Sequence, residues 1–121
     1  MIKYEKCHEL DKKIEKIIDK LNLKHIDKKS VKCLRSYGSK AKRTIARCHS
    51  LSKPLQRAFD IDAKYAIEVI SEKFDKLLPE EKKKVLIHEL LHIPKTFGGG
   101  FRKHHLVTRK EVEKCYKKLI S

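Results

Sequence analysis

Residues 85–92 read Val-Leu-Ile-His-Glu-Leu-Leu-His, and every face of a helix drawn through them carries an aliphatic side chain. Pro79, Glu80 and Glu81 open that helix, since proline is tolerated in a first turn and carboxylates there oppose the positive end of the helix dipole. It ends before Pro94. Leu86, Ile87, Leu90 and Leu91 fill the faces that His88, Glu89 and His92 leave, and a helix apolar all round has to be buried. At 121 residues the chain predicts one domain over residues 1–121, with room for one core. The fold is therefore expected to wrap around this helix, with two imidazoles and a carboxylate carried inside it.

That trio is a His-Glu-x-x-His motif, and its spacing has a mechanical reason. At about 100° per residue, His88 and His92 lie about 40° apart on one face, and Glu89 projects about 60° beyond His92. Both imidazoles can then ligate one metal ion with the carboxylate beside it. A zinc ion held by neutral imidazoles brings the pKa of its water toward neutrality, and a carboxylate can take the proton and pass it to a leaving amine. The competing reading is a hydrogen-bonded His/Glu cluster in the core, since a buried carboxylate without a partner is costly. A catalytic zinc keeps one position open and so needs a third protein ligand. Downstream, His104, His105, Glu111 and Glu113 are the candidates. Gly98, Gly99 and Gly100 let the chain turn back, and Phe101, Arg102 and Lys103 then lead the histidine pair toward the site. Glu111 and Glu113 suit helix-start charges better.

The remaining segments predict an α+β fold. Leu10, Ile14, Ile17, Ile18 and Leu21 continue a helical stripe from Cys7, so a first helix is expected over residues 2–21. Alternation over residues 30–37 predicts a strand that stops at Gly38, and residues 43–51 suit either strand or helix. Ser52 and Pro54 start a short helix. Residues 64–71 are the strongest strand, rich in aromatic and β-branched side chains. A last helix spans residues 108–120, with Thr108 and Glu111 spaced as a capping box.

Charge and cysteines narrow the setting. The formal net charge is +15, and residues 28–59 contain no acidic side chain. Lys40, Lys42, Arg43, Arg47, Lys53 and Arg57 lie in that window and form a candidate patch for DNA or RNA. The alternative is a solvated lysine-rich surface of the kind seen in proteins from hot environments. No apolar run is long enough for a membrane span, and charged residues interrupt the first ten positions, so a cytoplasmic protein without membrane contact is expected. Cys7, Cys33, Cys48 and Cys115 form no CxxC pair, which disfavours a cysteine metal site; Cys33 with Cys48 is the pair to examine for a disulfide.

Taken together, Glu68 through His92, with a strand ending at Ile70-Ser71, then Pro79-Glu80-Glu81 and the motif, resembles metallopeptidases ascribed to archaea and phages, and is similar to the SprT-like minimal zinc proteases. Leu34-Arg35-Ser36-Tyr37-Gly38-Ser39 and His92-Ile93-Pro94-Lys95-Thr96-Phe97-Gly98-Gly99 are similar as well, so the likeness covers most of the chain after Ser30. It implies a minimal zincin-like fold: a small mixed or antiparallel sheet against an N-terminal helix, the motif helix and a C-terminal helix. It also implies zinc, with His104 as the third ligand and His105 in the place of a glycine. In zincins an edge strand above the site takes the peptide or protein substrate as an added strand; the segment in that position here is residues 64–71, centred on Ile67, Glu68, Val69 and Ile70. Arg102, Tyr37 and Arg35 are the candidates for stabilising a transition-state oxyanion. The SprT-like likeness suggests a protease acting near DNA. The contrasting expectation is a small basic nucleic-acid-binding module whose metal is structural.

Overall fold

A computed structural model describes residues 1–103 and 106–121. Among the described residues the strands and α-helices follow in the order β1 (Lys3–Lys6), α1 (His8–Lys20), β2 (Val31–Tyr37), β3 (Ala46–Ser50), α2 (Lys53–Phe59), β4 (Tyr65–Ile70), α3 (Ser71–Phe74), α4 (Pro79–Leu91) and α5 (Arg109–Ile120), with a 3-10 turn at Lys28–Ser30 leading into β2. The strands form one mixed sheet in the order β1-β2-β4-β3, antiparallel at both margins and parallel between β2 and β4. This is the α+β architecture expected of a small zincin-like domain, with an open sheet backed by helices.

The α1 stripe is buried as its spacing demands: Leu10, Ile14, Ile17 and Ile18 face Val31 and Cys33 of β2 and Tyr65, Ile67 and Val69 of β4 within one core. The helix is shorter than the apolar stripe suggests. Residues 3–6, expected as its first turn, are a strand whose side chains are all exposed. With nothing buried there, periodicity carries no information, and the backbone groups are satisfied by pairing Lys3–Lys6 against Tyr37–Leu34. Beyond that ladder, the Cys33 amide donates to Asp11 Oδ1 at 2.6 Å, which ties α1 to β2.

α4 is the centre of the molecule. Leu86, Ile87 and Leu90 are at most 1 % exposed and Leu91 8 %, and α4 touches both β3 and α5. Truncating one such side chain to Ala typically costs about 2–5 kcal/mol. The Glu81 carboxylate accepts from the Leu78 amide and so closes the helix start. α5 begins as predicted, with Thr108 Oγ1 accepting from the Glu111 amide at 3.1 Å. The reciprocal arm of the box is missing because the Glu111 carboxylate is turned to Arg102 instead.

Two expectations are corrected by strand order. Cys33 and Cys48 both lie in register with Ile67, one on each side of β4. Two strand spacings, about 9–10 Å, exceed the roughly 7 Å that a disulfide can bridge, and all four cysteines are free. For the same reason β4 is no edge. It is hydrogen-bonded on both sides, so Ile67, Glu68, Val69 and Ile70 cannot accept a substrate strand. Ile67 and Val69 belong to the core, Glu68 is sealed by its neighbours, and the Ile70 amide already donates to the Ile45 carbonyl at 2.8 Å. The margin strand next to α4 is β3. No helix among the described residues is long and apolar enough to cross a membrane.

Candidate metal centre

His88 and His92 project from the last turn of α4 with Nε2 atoms 3.2 Å apart and ring centroids 4.9 Å apart. His88, Glu89 and His92 each bring a ligand atom within 4.8 Å of the others, the geometry that the helical spacing predicts. His92 is also the C-cap of α4, which leaves its carbonyl available to an outside donor. The returning chain supplies one: the Arg102 amide donates to His92 O at 2.7 Å. In the other direction, His92 Nδ1 lies 3.0 Å from the Arg102 carbonyl. A carbonyl can only accept, so Nδ1 carries a proton and, in the neutral ring, Nε2 is the nitrogen that offers a lone pair.

The return loop is built to make that contact. Tyr65 Oη donates to Gly100 O at 2.7 Å and accepts from the Gly99 amide at 3.0 Å, while Gln56 Nε2 donates to Gly98 O at 3.1 Å. Gly99 has φ +101°, and a Cβ there would fall 2.5 Å from Gln56 Nε2 and 2.7 Å from Leu51 O. Only glycine fits. The three glycines thus let the chain turn back, as the sequence suggests, but what reaches the described part of the site is a main-chain carbonyl that no side-chain signal marks.

Glu89 is 8 % exposed and accepts no hydrogen bond from any described residue. Burial pushes its carboxyl up to about 7. Cys48 of β3 sits close enough to sense it: burial, then the Glu89 charge, push the thiol up to about 12, so it is no thiolate. His88 and Glu89 open into a cleft of about 620 Å³, walled by Arg43, Thr44, Ile45 and Ala46 ahead of and at the start of β3, and by Val107, Arg109, Val112 and Glu113 on the α5 side. That is ample for a few residues of a peptide.

The three oxyanion candidates stay out of the cleft, although the Arg102 main chain bonds to His92. None of Arg102, Tyr37 and Arg35 lines the cleft. Arg35 is paired with Asp75 and stands over the Phe74 ring, and Tyr37 closes β2 against Lys3. The Arg102 guanidinium is held by Glu111 and by the Leu91 and Leu106 carbonyls. The nucleic-acid candidates fall on several elements: Lys40, Lys42 and Arg43 precede β3, Arg47 is exposed on β3 in register with Glu68, and Lys53 and Arg57 of α2 share a hollow with Asp60 and Asp62. Arg43 belongs to the cleft of the His/Glu/His group. His104, the expected third ligand, and His105 lie outside the described residues.

The sequence model of a family described as putative phage metallopeptidase matches residues 2–120. This chain belongs to that family. No curated protein and no solved structure matches it. Membership implies a hydrolase that uses a metal ion, and the donor set of this phage-metallopeptidase member fits one. Two nitrogens bound to one zinc at about 2.0–2.1 Å in tetrahedral geometry stand roughly 3.3 Å apart, close to the 3.2 Å between the Nε2 atoms of His88 and His92. The carbonyl behind His92 Nδ1 is the kind of outer partner that orients a ligating imidazole and raises its basicity.

Proposed function

We propose that the protein is a zinc-dependent metallopeptidase in which His88, His92 and His104 hold the metal and Glu89 is general base and then acid. The observation that carries this reading is the pair of imidazoles with Nε2 atoms 3.2 Å apart, the His92 ring held at its Nδ1 by Arg102 O, with the buried Glu89 beside them in an open cleft. Two or three imidazoles suit zinc better than the hard cations, which favour oxygen ligands. When bound, the metal supplies a Lewis acid that polarises the scissile carbonyl and acidifies water. Glu89, kept out of bulk solvent, takes one proton from the attacking water. It delivers that proton to the amide nitrogen as the C–N bond breaks, so the water's hydroxyl ends on the new carboxyl and its proton on the new amine. Arg102 holds the His92 ring so that Nε2 stays available. The outer margin of β3, Ala46–Ser50, replaces β4 as the strand that pairs with the substrate main chain, because among the described residues β3 is hydrogen-bonded on one side only and its first residue, with the three before it, walls the cleft.

Metal analysis of untagged protein purified without added zinc, coupled to hydrolysis of an unfolded protein by the same preparation, tests the reading. About one zinc per chain and chelator-sensitive cleavage are expected. A chain that neither carries zinc nor takes it up when offered would sink it.

A further inference from the structure

The cleft beside His88 and Glu89 carries positive charge that bond cleavage does not require. Its walls include the aliphatic Ile45, Ala46, Val85, Val107 and Val112, and three cations reach it: Arg43 from the segment before β3, Lys84 from α4 and Arg109 from the start of α5. Lys84 is already neutralised, its Nζ 3.1 Å from Glu80 and 2.9 Å from Glu113, which also accounts for the Glu113 carboxylate in the same cleft. Arg43 and Arg109 differ. Among the described residues neither guanidinium has a carboxylate within ion-pair distance or makes a hydrogen bond, and both are exposed. Arg109 is moreover the first residue of α5, followed by Lys110, at the helix end where cations are disfavoured. The acid of that first turn, Glu111, is committed to Arg102 and cannot offset it. Like charges arranged at a local cost on the β3 side and the α5 side of one cleft call for an anion between them.

We infer that Arg43 and Arg109 bind a carboxylate of the substrate, so that the cleft selects peptides with an acidic side chain or a free C-terminus next to the scissile bond. The class of ligand rests on the peptidase reading, since the anion a peptide brings into this cleft is a carboxylate. A guanidinium presents paired N–H donors that match the two carboxylate oxygens, and two of them on facing walls add their attraction at one point of the cleft.

Binding of fluorescent peptides to the Glu89→Gln protein, with and without zinc, decides the matter without relying on turnover. Four peptides of one length suffice: internal Glu against internal Gln, both amidated, and a neutral sequence as free acid against amide. At low salt, at least one carboxylate peptide should bind about tenfold tighter than its neutral counterpart, and the pair that shows the difference names the source. The preference should shrink as salt rises and drop to within about twofold in the Arg43→Gln, Arg109→Gln double variant, whose unfolding temperature should match the parent because both side chains are exposed. Equal binding of all four peptides, or a preference that survives the double substitution, overturns the assignment. So does a short DNA duplex that binds through these arginines while the peptides bind without discrimination. Wild-type protein that takes up no zinc and cleaves none of the peptides would end the peptidase reading, while the metal-free binding series still decides the role of the arginines.

Discussion

Glu68 on β4 and Glu89 on α4 are the buried carboxylates of the described structure, 1 % and 8 % exposed, and their surroundings treat them in opposite ways. At Glu68 burial works against the charge, but Ser36 Oγ donates at 2.6 Å and His49 Nε2 lies 2.8 Å away. With Arg47 in register, these contacts more than offset desolvation and hold the carboxyl below its ordinary value. At Glu89 burial acts alone and pushes the carboxyl up to about 7. The difference follows from the secondary structure beneath each. A residue in a central strand has neighbours on both flanks at hydrogen-bonding reach, so β2 and β3 each contribute a donor. A residue on a helix facing a cleft meets only what the opposing walls bring, and here no described residue donates a hydrogen bond to the Glu89 carboxylate. The first carboxylate is spent on structure. The second remains chemically available, which is the condition a general base needs.

The sharpest way to break this contrast is to remove the groups that give Glu89 its setting. His88→Ala or His92→Ala should lower zinc affinity by more than about 100-fold and abolish hydrolysis with it, whereas alanine at His49, which supports Glu68, should leave zinc content unchanged. Zinc titration against a competing chelator measures both. Retention of metal by His92→Ala would remove the centre from α4.

Next in size is the comparison of glutamine at the two sites. Glu89→Gln keeps shape and a carbonyl but accepts no proton, so hydrolysis by zinc-loaded protein should fall by roughly 100-fold with zinc content unchanged. Thermal stability should be equal or slightly higher, since a group that burial disfavours as a charge has been replaced. Glu68→Gln should behave inversely. Activity per folded molecule should stay within a few-fold, while stability drops by about 1–3 kcal/mol because charge-assisted bonds from Ser36 and His49 are lost. Denaturant unfolding and a turnover assay on the same preparations separate the two effects, and a loss of both properties in either variant would blur the distinction.

The stability gap between wild type and Glu68→Gln also has a pH signature. A carboxyl whose folded pKa lies below its unfolded value of 4.5 contributes stability that is fully present above 4.5 and is lost as pH falls through the folded pKa. The gap should therefore be widest near neutrality and close as the solution is acidified below about pH 4.5, with His49 and Arg47 as the charged groups that face it. A gap independent of pH would mean that Glu68 acts by packing alone. The smallest effect is expected at Arg102. Its contact with His92 is main chain, and its partly exposed pair with Glu111 is worth at most about 1 kcal/mol, so Arg102→Gln should retain zinc and nearly all activity. A fall of about 100-fold would instead show its guanidinium acting on the transition state.

Several of these features were legible along the chain and others were not. The Thr108 cap, the Pro79 helix start and the α1 stripe all depend on residues within about one or two turns of each other, and each stands where local spacing predicts. β1 was hidden because its four side chains bury nothing, so no pattern distinguishes it from the helix that follows. The partner of His92 was hidden for another reason. Any residue supplies a carbonyl, and the identity of Arg102 drew attention to a guanidinium that is occupied elsewhere. Arg43 looked like one charge among many in an acid-free window, and only the packing of the segment before β3 against α4 brings it into the cleft.

The pairing of His88 with His92 and the position of Glu89 beside them needed nothing beyond the primary structure, because the helical repeat is a local geometry that hydrogen bonds four residues apart impose on any sequence willing to form it. Burial of that turn was equally determined, since aliphatic side chains on every face leave no orientation in water without exposed hydrocarbon. Strand order was decided at the tertiary level. Residues 64–71 read as a strand and 43–51 as either strand or helix, yet which segment lies at the margin depends on backbone pairing between segments far apart in sequence, and that pairing uses N–H and C=O groups common to nearly all residues. The role of β3 beside the cleft, and the enclosure of Glu68 within the sheet, are consequences of assembly to which no single stretch of the chain is specific.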